Sequence, residues 1–192
     1  MTRKEQKEER RQAILMTALT LFVEKGYPDT KISDIAAAVP MSTGLLFHYF
    51  DSKETLLTEL VKMGAEGTKM VGMTAKATPS VPADQMLSGF LAQLFAYAKE
   101  QPWVFNMFVL MGQVRRPGMP EEARRISFSV DSISSTAKLI KAGQKEGIFR
   151  KGDPKQLSLC FWSAVQGIME EMTVNEDMKI PDPEWIVSIL RP

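Results

Sequence analysis

A chain of 192 residues with 44% hydrophobic content has the length of one large domain or two small ones and the composition of an ordinary soluble globular protein. Its 24 Lys/Arg against 23 Asp/Glu leave a formal net charge of +1 and so no global positive field for a polyanion; any nucleic-acid contact must come from locally placed cations and helix N-termini. One cysteine, Cys160, excludes an internal disulfide framework and a Cys-rich zinc site, and one histidine, His48, excludes a His-cluster metal site, so neither a metal nor a cofactor is expected.

In the first eleven residues Arg3, Lys4, Lys7, Arg10 and Arg11 outnumber Glu5, Glu8 and Glu9. This stretch reads either as a basic arm near DNA or as a solvated, frayed helix start. The first 62 residues hold nine Lys/Arg and nine Asp/Glu, so charge alone does not mark them. A helix is predicted from near Lys7 to Lys25, with Ile14, Ala18, Leu21 and Phe22 on one stripe and Gly26 suited to the position just past its end. Ile32, Ile35 and Ala36 then share a face of a short helix. Pro40 stops it, because a proline disfavours an α conformation at Val39. Ser42 is a good N-cap for a second short helix in which Leu46 and Phe50, four apart, point inward. Thr43, Gly44, Leu45, Phe47, His48 and Tyr49 lie around the rest of it. Ser52 caps the next helix, whose first turn holds Lys53. Two short helices joined by a tight corner make a helix-turn-helix.

From Leu56 the pattern becomes one long helix, weakened by Gly64, Gly67 and Gly72. The segment TPSVPAD, with Pro79 and Pro82, breaks it. A helix over Ala83 to Glu100 repeats Met86, Phe90, Leu94 and Tyr97. The next begins after Pro102 and is apolar on nearly all sides. A single amphipathic helix is predicted from about Glu121 to Glu146. Another runs from about Pro154 to Thr173, and a short one from about Pro183 to Leu190. In the second-last of these, Leu157, Phe161, Ala164, Val165 and Ile168 form the apolar surface, and Cys160 is expected to be an inert buried thiol. The class is all-α, about nine helices. No signal peptide and no membrane span is expected, and the expected location is cytoplasmic.

The residues around the helix-turn-helix resemble a known family. Phe22, Gly26-Tyr27, Thr30, Ile35-Ala36, Ser42, Gly44, Phe47-His48-Tyr49-Phe50 and Ser52-Lys53-Glu54 occur in the order and spacing of the DNA-binding domain of tetracycline-repressor (TetR) family transcriptional regulators. The match covers about Gln12 to Leu60. Pro40 stands where the family often has Gly, so the turn is expected to do without a positive φ. Thr43 stands where Lys is common, and Leu45 where Thr is common. The resemblance implies a three-helix DNA-binding domain over residues 1–52 and a helical effector-binding and dimerisation domain over 53–192. It further implies a homodimer on an inverted-repeat operator in double-stranded DNA, released by a small apolar or amphipathic effector, with repression the usual outcome. Ser42, Thr43, Gly44, Leu45, Phe47 and His48 are then expected to meet bases and groove, and Thr30, Tyr49 and Lys53 to hold phosphates. Phe90, Phe95, Trp103, Phe105, Met107, Phe108, Met111, Phe128 and Trp162 are candidates for an effector pocket. Ala164, Gly167 and Ile168 are candidates for the dimer contact, unless Gly167 faces its own subunit's core.

An enzyme is not expected: no His–carboxylate pair lies away from the helix-turn-helix, and no phosphate-binding loop or dinucleotide fingerprint appears. The alternative is an all-helical interaction protein without sequence-specific DNA binding.

Overall fold

The computed structural model describes the backbone of residues 2–74, 81–175 and 177–192, and their side chains except those of 69–74. Among the described residues there are ten α-helices and no strand. They are α1 (Arg3–Glu24), α2 (Ile32–Ala38), α3 (Thr43–Phe47), α4 (Lys53–Thr74), α5 (Ala83–Glu100), α6 (Trp103–Val114), α7 (Glu121–Phe128), α8 (Ser132–Lys145), α9 (Pro154–Val174) and α10 (Pro183–Ser188). Pro79 lies outside the described residues, whereas Pro82 stands immediately before α5. The chain forms two compact units. One is Met1–Ala65 with Asn106–Phe128, and the other is Glu66–Phe105 with Ser129–Pro192.

In the first unit α1 begins at Arg3 rather than near Lys7, so the expected frayed start is corrected. The cause is a reciprocal cap: the Glu5 N–H donates to Thr2 Oγ1 at 3.2 Å, and the Thr2 N–H donates to the Glu5 carboxylate at 2.7 Å. Ile14, Leu15, Ala18, Leu19 and Phe22 are the buried face of α1. Full burial of each large one contributes roughly 1.5–3 kcal/mol before chain entropy opposes it. Leu21, expected in that stripe, is half-buried. Leu46 and Phe50 are buried as expected, with Leu56, Leu57, Leu60 and Val61 of α4. Met107, Val109, Leu110 and Val114 of α6 are also buried and belong to this unit, so its core is not built from the N-terminal residues alone. Arg11 ties α1 to α4: its guanidinium donates to the Glu59 carboxylate at 2.6 Å and stands 5.0 Å from the centre of the Phe50 ring.

The single helix expected over Glu121 to Glu146 is two helices. Asp131 accepts the Ser134 N–H at 2.9 Å and so caps a new start. Asp and Ser compete with the helix backbone for hydrogen bonds, which favours a cap over a helix interior.

In the second unit α9 is joined to α8 by two bonds. Ser158 Oγ donates to the Ile133 carbonyl at 2.9 Å, and Trp162 Nε1 donates to Thr136 Oγ1 at 2.9 Å. The buried stripe of α5 is Leu87, Leu91, Phe95 and Ala98, and not the repeat of Met86, Phe90, Leu94 and Tyr97. Tyr97 is 50% exposed. In α9 the buried residues include Met169 beside Phe161 and Val165. Arg191 fixes the chain end, reaching Asp84 at 2.9 Å and Glu184 at 2.8 Å.

Candidate nucleic-acid interface

The first unit displays α3 as a short helix held from below. The Leu45 N–H donates to Ser42 Oγ at 3.1 Å, which starts the helix. Leu46 at 0% and Phe50 at 2% exposure anchor its inner side. Thr43, Gly44, Leu45, Phe47 and His48 are all exposed. Leu45 at 37% and Phe47 at 47% exposure put two large apolar side chains into water on a helix too short to hide them. A Cβ at Gly44 would meet only Ser42 Oγ, at 4.0 Å, so the chain's own packing does not require glycine there.

The corner before α3 departs from expectation. Pro40 has φ 22, a positive value that its ring opposes, so the reading of a turn without positive φ is corrected. The reason lies in the hydrogen bonds. The Met41 N–H donates to the Ala36 carbonyl at 2.9 Å, the outer bond of a Schellman ending, and that ending requires a left-handed residue just past the helix.

Two of the residues expected at phosphates are engaged elsewhere. Thr30 is fully buried, and its hydroxyl meets the carbonyls of Gly26 at 2.8 Å and Leu21 at 3.1 Å. Its phosphate role is corrected: the hydroxyl closes the end of α1. Lys53 Nζ donates to three carbonyls, Tyr27 at 2.7 Å, Thr30 at 2.8 Å and Pro28 at 3.2 Å, and lies 4.4 Å from the centre of the Tyr27 ring. Burial pulls the Lys53 ammonium below its ordinary pKa, and Asp29 partly opposes this. The Tyr27 phenol is pushed up by burial and then by Glu54. Lys53 thus pins the α1–α2 loop to the start of α4 and is a positioning residue here. Lys53→Ala should lower the unfolding free energy by about 0.5–1 kcal/mol, a net figure for hydrogen bonds partly open to solvent. A urea titration reads this as an earlier midpoint at constant slope; an unmoved midpoint would return Lys53 to the free surface. Tyr49, the third of these residues, is half-buried.

The effector candidates do not form one set. Phe90 meets Trp162 edge to face at 5.9 Å between ring centres, and Trp103 meets Tyr97 at 6.3 Å, both within the second unit. Phe95 is buried in that unit, and Phe105 is half-buried in it. Met107 and Met111 come together in the first unit, where a Cβ at Gly64 would lie 2.9 Å from both sulfurs. Phe108, half-buried, is in the same unit. Phe128 is 57% exposed, with the Arg115 guanidinium 5.5 Å from its ring centre, so it is corrected from pocket lining to surface.

Of the dimer candidates, Ala164 and Ile168 are half-buried and Gly167 is exposed. A Cβ at Gly167 would meet nothing within 4 Å, so it does not face its own core. Cys160 is exposed, not buried, and Leu159 beside it is 52% exposed. The helical order explains this: Leu159, Cys160, Ser163, Gly167 and Val174 all fall on the side of α9 away from Phe161, Val165 and Met169. Among the described residues no group of His, Cys, Asp or Glu is arranged to hold a metal ion, and no helix is long and apolar enough to cross a membrane.

The residues that position and display α3 match those of known proteins. Residues 14–60 match the family model for bacterial regulatory proteins of the tetR family. Over 53 residues the chain is 43% identical to the HTH-type transcriptional repressor KstR2 of Rhodococcus jostii (strain RHA1), covering 28% of this chain and 26% of that one. Over 49 residues it is 43% identical to the biofilm operon icaADBC HTH-type negative transcriptional regulator IcaR of Staphylococcus aureus (strain Newman), covering 26% of each. The matched stretch spans about a quarter of the length of these relatives. Among solved structures, AibR in complex with isovaleryl coenzyme A and operator DNA is similar at a TM-score of 0.78 and 20% identity, over 95% of this chain and 98% of that one. MbdR regulator from Azoarcus sp. CIB is similar at 0.77 and 23%, over 94% and 97%. The two structural likenesses extend the fold over nearly the whole chain.

Proposed function

We propose that this chain, whose residues 14–60 match the family model for bacterial regulatory proteins of the tetR family, is a ligand-responsive DNA-binding transcriptional repressor of that family. In this reading it binds an inverted-repeat operator as a homodimer and is released by a small apolar or amphipathic effector. It acts as a regulator in the cytoplasm and not as an enzyme. The observation that carries the reading is the outer face of α3, where Thr43, Gly44, Leu45, Phe47 and His48 stand exposed on a helix anchored by Leu46 and Phe50. Such a helix fits a major groove, with Gly44 allowing close approach and Leu45 and Phe47 suited to apolar contact with thymine methyl groups. That KstR2 is named a repressor and IcaR a negative regulator supports the sign. AibR, of the same fold, is seen with both a ligand and operator DNA, which supports a chain that answers to both.

Residues 1–52 are then the DNA-binding part and 53–192 the effector and dimer part. The exposed side of α9 around Gly167 is the surface for the second copy, and a bundle of two helices from each copy would cover it. The effector meets the apolar residues around Phe90 and Trp162, or those around Met107 and Met111. Its action is linkage: if it binds better to a state in which the two α3 helices are wrongly spaced, it weakens DNA binding by that difference, and DNA weakens effector binding equally. α4 contributes residues to both units and is the connector.

The test is selection of bound sequences from a random duplex pool by the purified protein at moderate salt. The expected result is an enriched inverted repeat with half-sites about 34–36 Å apart or somewhat more. Absence of both enrichment and salt-dependent affinity would favour the helical interaction protein instead.

A further inference from the structure

With Thr30 buried and Lys53 spent on loop carbonyls, the face around α3 lacks two of the groups expected to hold the DNA backbone. Other cations lie beside it. Arg3, Lys7 and Arg10 are spaced i, i+4 and i+7, so they share one stripe of α1. They form one wall of a groove of about 670 Å³, and Val39 and Tyr49, which bracket α3 in sequence, line it as well. All three cations are exposed, and none has an ion pair or hydrogen bond within the described residues.

Two of the three neighbouring acids are turned away from the stripe, so three cations face one acid. Glu5 is turned onto the Thr2 N–H, and Glu8 faces Gln12 and Arg11 on another side of α1. Glu9 remains at the groove. This resolves how the first 62 residues, with nine acids and nine bases, present a local positive surface. Cations near a helix N-terminus also oppose the macrodipole, so stability alone does not favour this arrangement.

We propose that Arg3, Lys7 and Arg10, with Tyr49 across the groove, grip the sugar-phosphate backbone of the duplex that α3 reads. This rests on the reading of α3 as a DNA-reading helix. The partner is a continuous polyanion, because three cations spaced along two turns of helix match a run of phosphates rather than one small anion. The grip fixes register and affinity but carries no base preference.

The experiment compares the full chain with the triple variant Arg3→Gln, Lys7→Gln, Arg10→Gln on the enriched duplex, by fluorescence anisotropy over a range of salt. Glutamine keeps helix propensity, and a circular dichroism melt checks that the variant folds. A control replaces Lys145 and Lys151, exposed in the second unit, by Gln. The expected result is a log–log salt slope shallower by about two to three units per subunit, roughly 0.9 for each phosphate that is no longer neutralised. The selected base sequence should be the same and the control slope unchanged. An unchanged slope in a folded variant, an altered base sequence, or an equal change in the control would each overturn the proposal while leaving the DNA-binding reading intact. No binding of any duplex by the unaltered protein would remove both. If the triple variant fails to fold, Lys7→Gln alone, with an expected change of about one unit, decides in its place.

Discussion

Gly143→Ala should destabilise the second unit by about 1–2 kcal/mol, although alanine is the better helix former. The helical gain is about 1 kcal/mol. Against it, a Cβ at Gly143 would lie 2.5 and 2.8 Å from two ring carbons of Phe149 and 3.1 Å from the Ala83 Cβ. Phe149 is 3% exposed and Ala83 5%, so the ring has no solvent to move into and the backbone must shift. Forcing an extra carbon into a close-packed site costs typically 1–3 kcal/mol and sometimes more, and here rigid atoms stand on two sides. Gly64→Ala is the informative contrast. Its Cβ would lie 2.9 Å from the sulfurs of Met107 and Met111, but those are far ends of flexible side chains and can move aside. The helical gain should then cancel the crowding, leaving a net change near zero. Thermal melts of both variants check this: a fall of roughly 3–6 °C is expected for Gly143→Ala, and almost none for Gly64→Ala. A Gly143→Ala protein as stable as the original would mean that α8 and Phe149 are more loosely packed than the distances imply.

The helix-turn-helix was legible because its determinants are local. Ser42 and Ser52 cap the helices that follow them, and Leu46 and Phe50 are one helical turn apart. Both relations are set by positions within four residues of each other, which a sequence displays directly. The role of Lys53 was not legible. Its partners are backbone carbonyls more than twenty residues away, and a carbonyl has no residue identity. The cap at Thr2 and Glu5 was present in the sequence as a T-x-x-E signature, but the density of charge around it favoured a frayed reading. The exposure of Cys160 and the true stripe of α5 were hidden for a different reason. Both helices carry apolar residues on several faces, so periodicity gives a helix without saying which side is inward. In α5 the inward side includes Ala83 and Ala98, whose small size is compatible with burial or exposure alike. The break between α7 and α8 depends on Asp131 choosing to cap, a competition that amphipathic spacing on either side conceals.

Pro40→Gly should stabilise the protein, and the sign of the change tests the turn itself. In the observed corner Pro40 occupies the position just past α2 with φ 22, far from the value near −65° that its ring prefers. Strained backbone of this kind costs on the order of 1–3 kcal/mol. The same Schellman ending has an inner bond, from the N–H of that position to the Ala37 carbonyl, which proline cannot donate; restoring it contributes about 1 kcal/mol. Opposing both, glycine is freer than proline in the unfolded chain by roughly 1–2 kcal/mol. The balance is a gain of about 1–2 kcal/mol, a rise in Tm of roughly 3–6 °C. Pro40→Ala, which restores the donor without the freedom to reach positive φ, should fall between the two. If instead the turn held Pro40 at its ordinary φ, glycine would bring only its entropy cost and Tm would fall. The corner also sets the angle at which α3 leaves α2, so the Pro40→Gly protein should select the same base sequence as the original. A different sequence would mean that proline re-aims α3, and that this position tunes which bases the chain reads.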